Sequence, residues 1–186
     1  NSAFTAALGF AFWVAVARVY KAQDVGLASA LISSAGFLAF LAGLGLDQGL
    51  IRFLPASGER ASRLMNSTFI LTGAAGLVAA GVFLAGLPLW SPALAQARQH
   101  PAYVVAFLGS VPAATVLGMV STACTAHRRA SISLLLGLLN SALKIVFALA
   151  LVLSFGSFGV FASWGLATAV VALLALLLSI PPLTST

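Results

Sequence analysis

Residues 131–180 read SISLLLGLLNSALKIVFALALVLSFGSFGVFASWGLATAVVALLALLLSI and contain a single charged residue, Lys144. The apolar run is too long for a strand and does not alternate with a period of two, so it predicts helix. A membrane-crossing helix needs about 20 apolar residues. The run therefore predicts two transmembrane helices, at 131–154 and 158–180.

The rest of the chain is also rich in apolar residues and poor in charged ones. Of its 186 residues, 61% are apolar and 6% are charged, and the mean hydropathy is +1.12. Soluble domains average about 25% charged residues, so an ordinary soluble enzyme, a disordered chain and a disulfide scaffold are excluded. At about 30 residues per span, the length predicts an all-α, polytopic fold of six transmembrane helices. The other four are expected at 3–20, 25–46, 65–89 and 102–125.

The remaining charges mark the ends of these spans and predict their direction. The loops after spans two and four carry more Lys and Arg than the loops after spans one, three and five. Because cytoplasmic loops are enriched in Lys and Arg, both termini are predicted to be cytoplasmic. The net positive charge of the chain is therefore accounted for without a nucleic-acid partner. The loops after spans two and four contain Arg52, Arg60, Arg63, Arg128 and Arg129. The loops after spans one, three and five contain Arg18, Lys21 and Arg98. Three aromatic residues at predicted helix ends are expected at the interface with water: Tyr20, Trp90 and Tyr103.

Lys144 is the most informative residue of the sequence. It lies about 20 Å along span five at 1.5 Å per residue. A lysine at this depth costs about 2.5–3.5 kcal/mol on insertion scales, so it should face a polar cavity or a partner. Asn140 precedes it by four residues and shares its helix face. A functional cavity residue and a snorkelled or structurally paired lysine are both open interpretations.

The segment GLGLDQGLIRFLP at residues 43–55 is a candidate gate or hinge. Gln48 and Arg52 are four residues apart, and Asp47 could neutralise Arg52 if the helix bends at Gly49. We expect a short interfacial helix after Gly49. The alternative is a solvated cytoplasmic hinge without a gating role.

Helix breakers and small residues occur inside the spans. Pro112 should kink span four and is a second hinge candidate. Small residues allow close helix packing in lipid, where apolar burial no longer drives association. In span three these residues are Gly73, Gly76 and Gly81.

Other chemistry is poorly supported by the sequence. Arg18 ends the first span, either as an interfacial anchor or as a cavity residue. Cys124 and His127 are three residues apart, but two ligands without a third make a weak metal site. The sequence has no paired carboxylates, no catalytic triad and no phosphate-binding loop, so we expect neither an enzyme nor a cofactor.

Four short stretches carry a family resemblance: ARVY at residues 17–20, DVGLASALI at 24–32, LGLD at 44–47 and IRFLP at 51–55. In these stretches the chain resembles the start of polysaccharide or O-antigen flippases. These proteins belong to the multidrug/oligosaccharidyl-lipid/polysaccharide exporter superfamily of bacterial and archaeal cytoplasmic membranes. The resemblance implies two six-helix lobes around a central cavity, which moves a lipid-linked oligosaccharide between leaflets by alternating access.

The resemblance further implies that this chain is the N-terminal lobe and that its C-terminal lobe is missing. A start at Asn1 without methionine also suggests a fragment. Arg18, Arg52 and Lys144, with Asn140, would then bind the anionic pyrophosphate of the substrate. A drug antiporter of the same superfamily is the main alternative, although such proteins commonly carry a carboxylate within a helix, and here none lies inside a predicted span. A non-transporting six-span assembly subunit is the third interpretation, and it would not need Lys144 in the membrane.

Overall fold

The computed structural model of the chain describes residues 2–91, 94–95 and 98–184, and over these residues the fold is helical without strands. Single 3₁₀ turns cover Leu54–Ala56 and Gly58–Arg60. The all-α prediction is confirmed. The α-helices are α1 (Ser2–Val19), α2 (Ala22–Ala42), α3 (Leu46–Phe53), α4 (Ala61–Trp90), α5 (Pro101–Ala126) and α6 (Ala130–Thr184).

Five helical segments in the described residues are long and apolar enough to cross a membrane. The apolar part of α1, Ala6–Val19, is shorter. Together they make a polytopic membrane protein of about six spans, as the sequence predicts. The five long segments are Ala22–Ala42, Ala61–Leu89, Pro101–Ala126, Ala130–Leu151 and Phe158–Leu177.

Helix α6 is a hairpin rather than one straight rod. In a straight helix, residues 144 and 164 would be about 30 Å apart, yet the Lys144 ammonium lies 5.8 Å from the centre of the Trp164 ring. A Cβ atom added to Gly159 would lie 3.0 Å from the carbonyl oxygen of Leu151. The chain therefore reverses between residues 151 and 159. Its first arm (Ala130–Leu151) and second arm (Phe158–Leu177) are the two spans predicted for this run.

Two tyrosines at helix ends lie inside the bundle. Tyr20 is buried, and its hydroxyl donates a 2.8 Å hydrogen bond to the carbonyl oxygen of Ala148. Tyr103 is also buried, with its ring 5.0 Å from that of Phe158. Both rings are buried between helices rather than turned outward, because the apolar ring of a tyrosine packs well between helices once its hydroxyl finds an acceptor. The side chain of Trp90 lies outside the described part of the chain.

The core has two halves, one toward each end of the bundle. Near the α1–α2 connection, the buried residues Val16 and Phe107 pack in one cluster with Phe161 of α6. At the opposite end, Leu50 of α3 packs with Met65 of α4 and other residues. The short helix α3 is thus held against the ends of α4 and α5.

The turn into α3 lies earlier than the sequence predicts. Leu44 and Gly45 both have positive φ, at 52° and 70°, and α3 begins at Leu46. Gly49 lies inside this continuous helix, so the helix begins before Gly49 rather than after it, and the bend at Gly49 that would let Asp47 neutralise Arg52 does not occur. The reversal falls at Gly45 because a residue without a Cβ adopts the left-handed conformation at little cost.

A close approach between α4 and α5 depends on Gly76. A Cβ atom at this position would lie 3.1 Å from both the Cα atom of Pro112 and the hydroxyl oxygen of Thr115. Gly73 is looser, 3.5 Å from Val116, and Gly81 has nothing within 4 Å. The small-residue contact predicted for span three is therefore concentrated at Gly76, where it meets the helix that contains Pro112.

Replacing Gly76 by valine should destabilise the bundle by about 1–3 kcal/mol, because the added atoms overpack a backbone contact that cannot move cheaply. Thermal unfolding in detergent, followed by loss of monodisperse elution, measures the effect. Gly81→Val on the same helix is the matched control and should change the unfolding temperature little, since its Cβ meets open space. Equal effects of the two variants would contradict the packing argument.

Candidate functional site

Lys144 lies half-buried on the first arm of α6, inside the bundle. Its ammonium stands over the ring of Trp164, on the second arm, at 5.8 Å from the ring centroid. Among the described residues, this ammonium makes neither an ion pair nor a hydrogen bond. A desolvated cation–π contact contributes about 2 kcal/mol, which is less than the cost of about 2.5–3.5 kcal/mol for a lysine in mid-membrane. The cation–π contact therefore offsets only part of the free-energy cost of placing the Lys144 charge there.

Two cavities meet at Lys144 and Trp164. The larger, which we call the α5-side cavity, has a volume of about 260 Å³ and lies between α5 and both arms of α6. The smaller, the α1-side cavity, has about 110 Å³ and also borders α1 and α2. The α5-side cavity includes Ser121, Ser133, Asn140 and Thr168 in its lining. The α1-side cavity includes Gly9, Trp13, Ile32 and Ser141.

Asn140, which lines the α5-side cavity, carries a second polar group without a partner. The amide oxygen of Asn140 is buried and accepts no hydrogen bond. Leaving a buried acceptor unpaired costs about 1–3 kcal/mol. The hydroxyls nearby are engaged, since Ser121 bonds to Ser133 and Thr168 donates to the carbonyl oxygen of Trp164. An unpaired amide oxygen and an unpaired ammonium therefore belong to residues one helical turn apart on the face that the sequence predicts.

The candidate gate residues Asp47 and Gln48 line a different space. This groove of about 780 Å³ lies between the end of α2, the start of α3 and α5. The Asp47 carboxylate accepts a 3.1 Å hydrogen bond from the Gln48 amide. Arg52 makes no ion pair with Asp47; it is exposed, with its guanidinium 5.6 Å from the centre of the Phe53 ring.

The structure brings together only some of the predicted site residues. Lys144 and Asn140 share one cavity. Arg18 is exposed in the last turn of α1, and Arg52 is exposed on α3 toward the opposite end of the bundle, so neither lines that cavity. Pro112 packs against Gly76 rather than lining the groove of Asp47.

Trp164 is the residue that the sequence reasoning missed. The sequence carries a coarse signal for it, because positions 144 and 164 lie at similar distances on either side of the reversal between residues 151 and 159. In an antiparallel helical hairpin, such positions lie at a similar level, and they meet where both are on the facing sides of the two helices. An aromatic residue at that distance from a buried lysine is therefore a candidate cation–π partner.

Metal-ligating side chains do not cluster in the part of the chain that the structure describes. No group of three or more His, Cys, Asp or Glu residues there could hold a metal ion. Cys124 is buried within α5, and His127 follows the last turn of that helix. This pair remains two ligands without a third.

The fold and the site define a polytopic α-helical membrane protein whose bundle contains a small cavity lined in part by a half-buried lysine. The family model described as "Polysaccharide biosynthesis protein" matches residues 2–181. The chain therefore belongs to this polysaccharide biosynthesis family, and the resemblance seen in the sequence is confirmed. No curated protein and no solved structure matches the chain significantly. Family membership connects the protein to polysaccharide biosynthesis at a membrane.

Proposed function

We propose that the protein is a flippase that moves a lipid-linked oligosaccharide across the cytoplasmic membrane of a bacterium or archaeon by alternating access. The observation that carries this proposal is the Lys144 ammonium, which borders two cavities inside the bundle without an anionic partner among the described residues. The family supports the polysaccharide part of the proposal.

The chemistry of the substrate suits this cation. A diphosphate that joins a lipid to a glycan is anionic, and charge attraction is strong where water is scarce. In this proposal Lys144 and Asn140 bind the diphosphate within the bundle. Arg18 and Arg52, exposed toward its two ends, bind it as it enters or leaves.

The gate in this proposal lies around the groove of Asp47 and Gln48. The turn at Leu44 and Gly45 connects α2 to α3 there, and α3 carries Gly49. Movement of α3 against α5 would open or close this end of the bundle, with Pro112 as the weak point of α5. The second lobe, C-terminal to this one, would complete the central cavity, and both termini of the present lobe would be cytoplasmic.

The two other interpretations predict different surroundings for Lys144. A structural subunit would hold the lysine in an ion pair or turn it toward lipid, whereas here it borders the α1-side cavity beside Trp13 and Ile32. A drug antiporter would place a carboxylate at the site, and neither cavity is lined by Asp or Glu. Asp47, in the larger groove, is the carboxylate that an antiporter could use.

The full-length gene product in proteoliposomes provides the test. Lipid-linked oligosaccharide placed in the inner leaflet should become accessible to an added glycosidase much faster than in protein-free vesicles. An equal rate in both kinds of vesicle would contradict the proposal. Proton-dependent export of a cationic drug by the same vesicles, without movement of the oligosaccharide, would instead establish the antiporter.

A further inference from the structure

Lys144 and Trp164 are the two residues that line both cavities, and the ammonium of the first lies 5.8 Å from the ring centre of the second. The face of an aromatic ring is negative and attracts a cation. An anion is a stronger partner, because charge-assisted contacts exceed ring contacts at a site with little water. An anion that enters the cavity should therefore draw the ammonium away and leave the face of the ring free.

A freed ring face suits a particular kind of ligand. A sugar ring presents C–H groups on its face, which the negative face of an indole attracts, and hydroxyl groups around its edge. The unpaired amide oxygen of Asn140 lacks a donor, and a sugar hydroxyl supplies one once the amide turns toward the cavity. Because Asn140 and Lys144 are four residues apart, their Cβ atoms lie about 5–6 Å from each other. A phosphate and the sugar bonded to it span this distance.

The size of the cavity sets a limit on the ligand. Its volume of about 260 Å³ is below the range of roughly 300–1,000 Å³ that is usual for drug-sized ligands. A single sugar ring with a phosphate fits this space, whereas an oligosaccharide does not. Only the part of the glycan nearest to the phosphate can therefore enter.

We infer that Trp164 and Asn140 bind the sugar that is joined directly to the phosphate, while Lys144 binds the phosphate oxygens. This inference rests on the proposed function and adds a determinant of substrate specificity to it. The protein recognises the first sugar inside the α5-side cavity, and the rest of the glycan lies outside this cavity.

The test uses the full chain in phosphatidylcholine nanodiscs. Trp13→Phe and Trp90→Phe leave Trp164 as the one tryptophan of these 186 residues, and any tryptophan of the second lobe is likewise replaced by phenylalanine. Its fluorescence is followed while inorganic phosphate or glucose 1-phosphate is added. Both probes should change the emission as the ammonium leaves the ring. Glucose 1-phosphate should bind about tenfold more tightly than phosphate, as one added hydrogen bond and a ring contact predict.

Variants separate sugar binding from phosphate binding. Asn140→Leu, followed by fluorescence, and Trp164→Leu, followed with radiolabelled probes, should each lose the preference and keep the phosphate affinity. Trp164→Phe retains a ring and should retain part of the preference. Asn66→Leu, at an exposed position of α4, is the matched control and should change neither affinity. If Asn140→Leu does not elute as monodisperse protein, Asn140→Ala makes the same comparison with a smaller side chain.

Several results would overturn the inference. Equal affinities for the two probes, with phosphate binding still dependent on Lys144, would refute the sugar site and leave the proposed function standing. Absence of phosphate binding would contradict both. If phosphatidylglycerol in the nanodisc competes with phosphate and no sugar preference is found, the cavity binds an anionic lipid headgroup instead.

Discussion

Replacing Lys144 by methionine should abolish glycan export in cells that depend on the full-length protein. Losing one member of a desolvated charge pair costs about 2–5 kcal/mol, which corresponds to a decrease of roughly 30-fold or more. Methionine has a similar length and enters the membrane without the cost of a charge, so the variant should fold at least as well as the parent protein. Pulse-labelled surface glycan measures export, and immunoblotting measures the amount of protein.

Two further variants make the Lys144 experiment specific. Lys21→Met removes the other lysine of the chain, which is exposed in the α1–α2 connection, and should leave export unchanged. Lys144→Arg keeps the positive charge and should retain much of the export. Normal export by Lys144→Met at normal protein levels would remove the basis of the proposed function.

Replacing Gly159 by alanine should cause the largest loss of stability among single alanine substitutions at the glycines whose surroundings the structure describes. The new methyl group would lie 3.0 Å from the Leu151 carbonyl oxygen and 3.0 Å from the Tyr20 hydroxyl. Both neighbours are fixed, the first by the helix and the second by its bond to Ala148. Overpacking of this kind costs about 1–3 kcal/mol, and it acts where the two arms of α6 separate. Thermal unfolding in detergent measures the change.

A double-mutant cycle tests the geometry at Gly159 directly. Tyr20→Phe removes one of the two clashing atoms, so Gly159→Ala should cost less in that background than in the parent protein. Gly109→Ala is the matched control, because its Cβ has nothing within 4 Å; it should be neutral or slightly stabilising. Equal costs of Gly159→Ala with and without the Tyr20 hydroxyl would show that the contact with that hydroxyl is not tight.

The helices follow from the sequence to within a few residues, and the reason is the solvent. In a lipid bilayer, backbone groups must bond within their own helix, so long apolar runs have one stable conformation. The connections are less predictable. The turn before α3 falls at Gly45 rather than at Gly49, and both residues lack a Cβ atom, so local backbone freedom does not distinguish them. In the folded chain, α3 packs its buried Leu50 in a cluster with Met65 of α4.

The candidate site was only partly predictable. Asn140 and Lys144 occupy one helix face by their spacing alone, and the structure places both in one cavity. Trp164, in contrast, meets Lys144 only because α6 folds back on itself. Arg18 and Arg52 have the charge expected for substrate binding, but the packing of α1 and α3 places them outside this cavity.

The sequence by itself determined the membrane class, the approximate spans and the position of Lys144 within a long apolar run, because transfer of apolar and charged groups into lipid depends on composition and helix length. The tertiary structure decided what surrounds that lysine. Contacts between separate helical segments bring Trp164 to Lys144 and form the two cavities beside it. The same contacts bury the unpaired amide oxygen of Asn140. In lipid such contacts depend on shape and on single polar partners rather than on overall hydrophobicity, so hydropathy does not encode them.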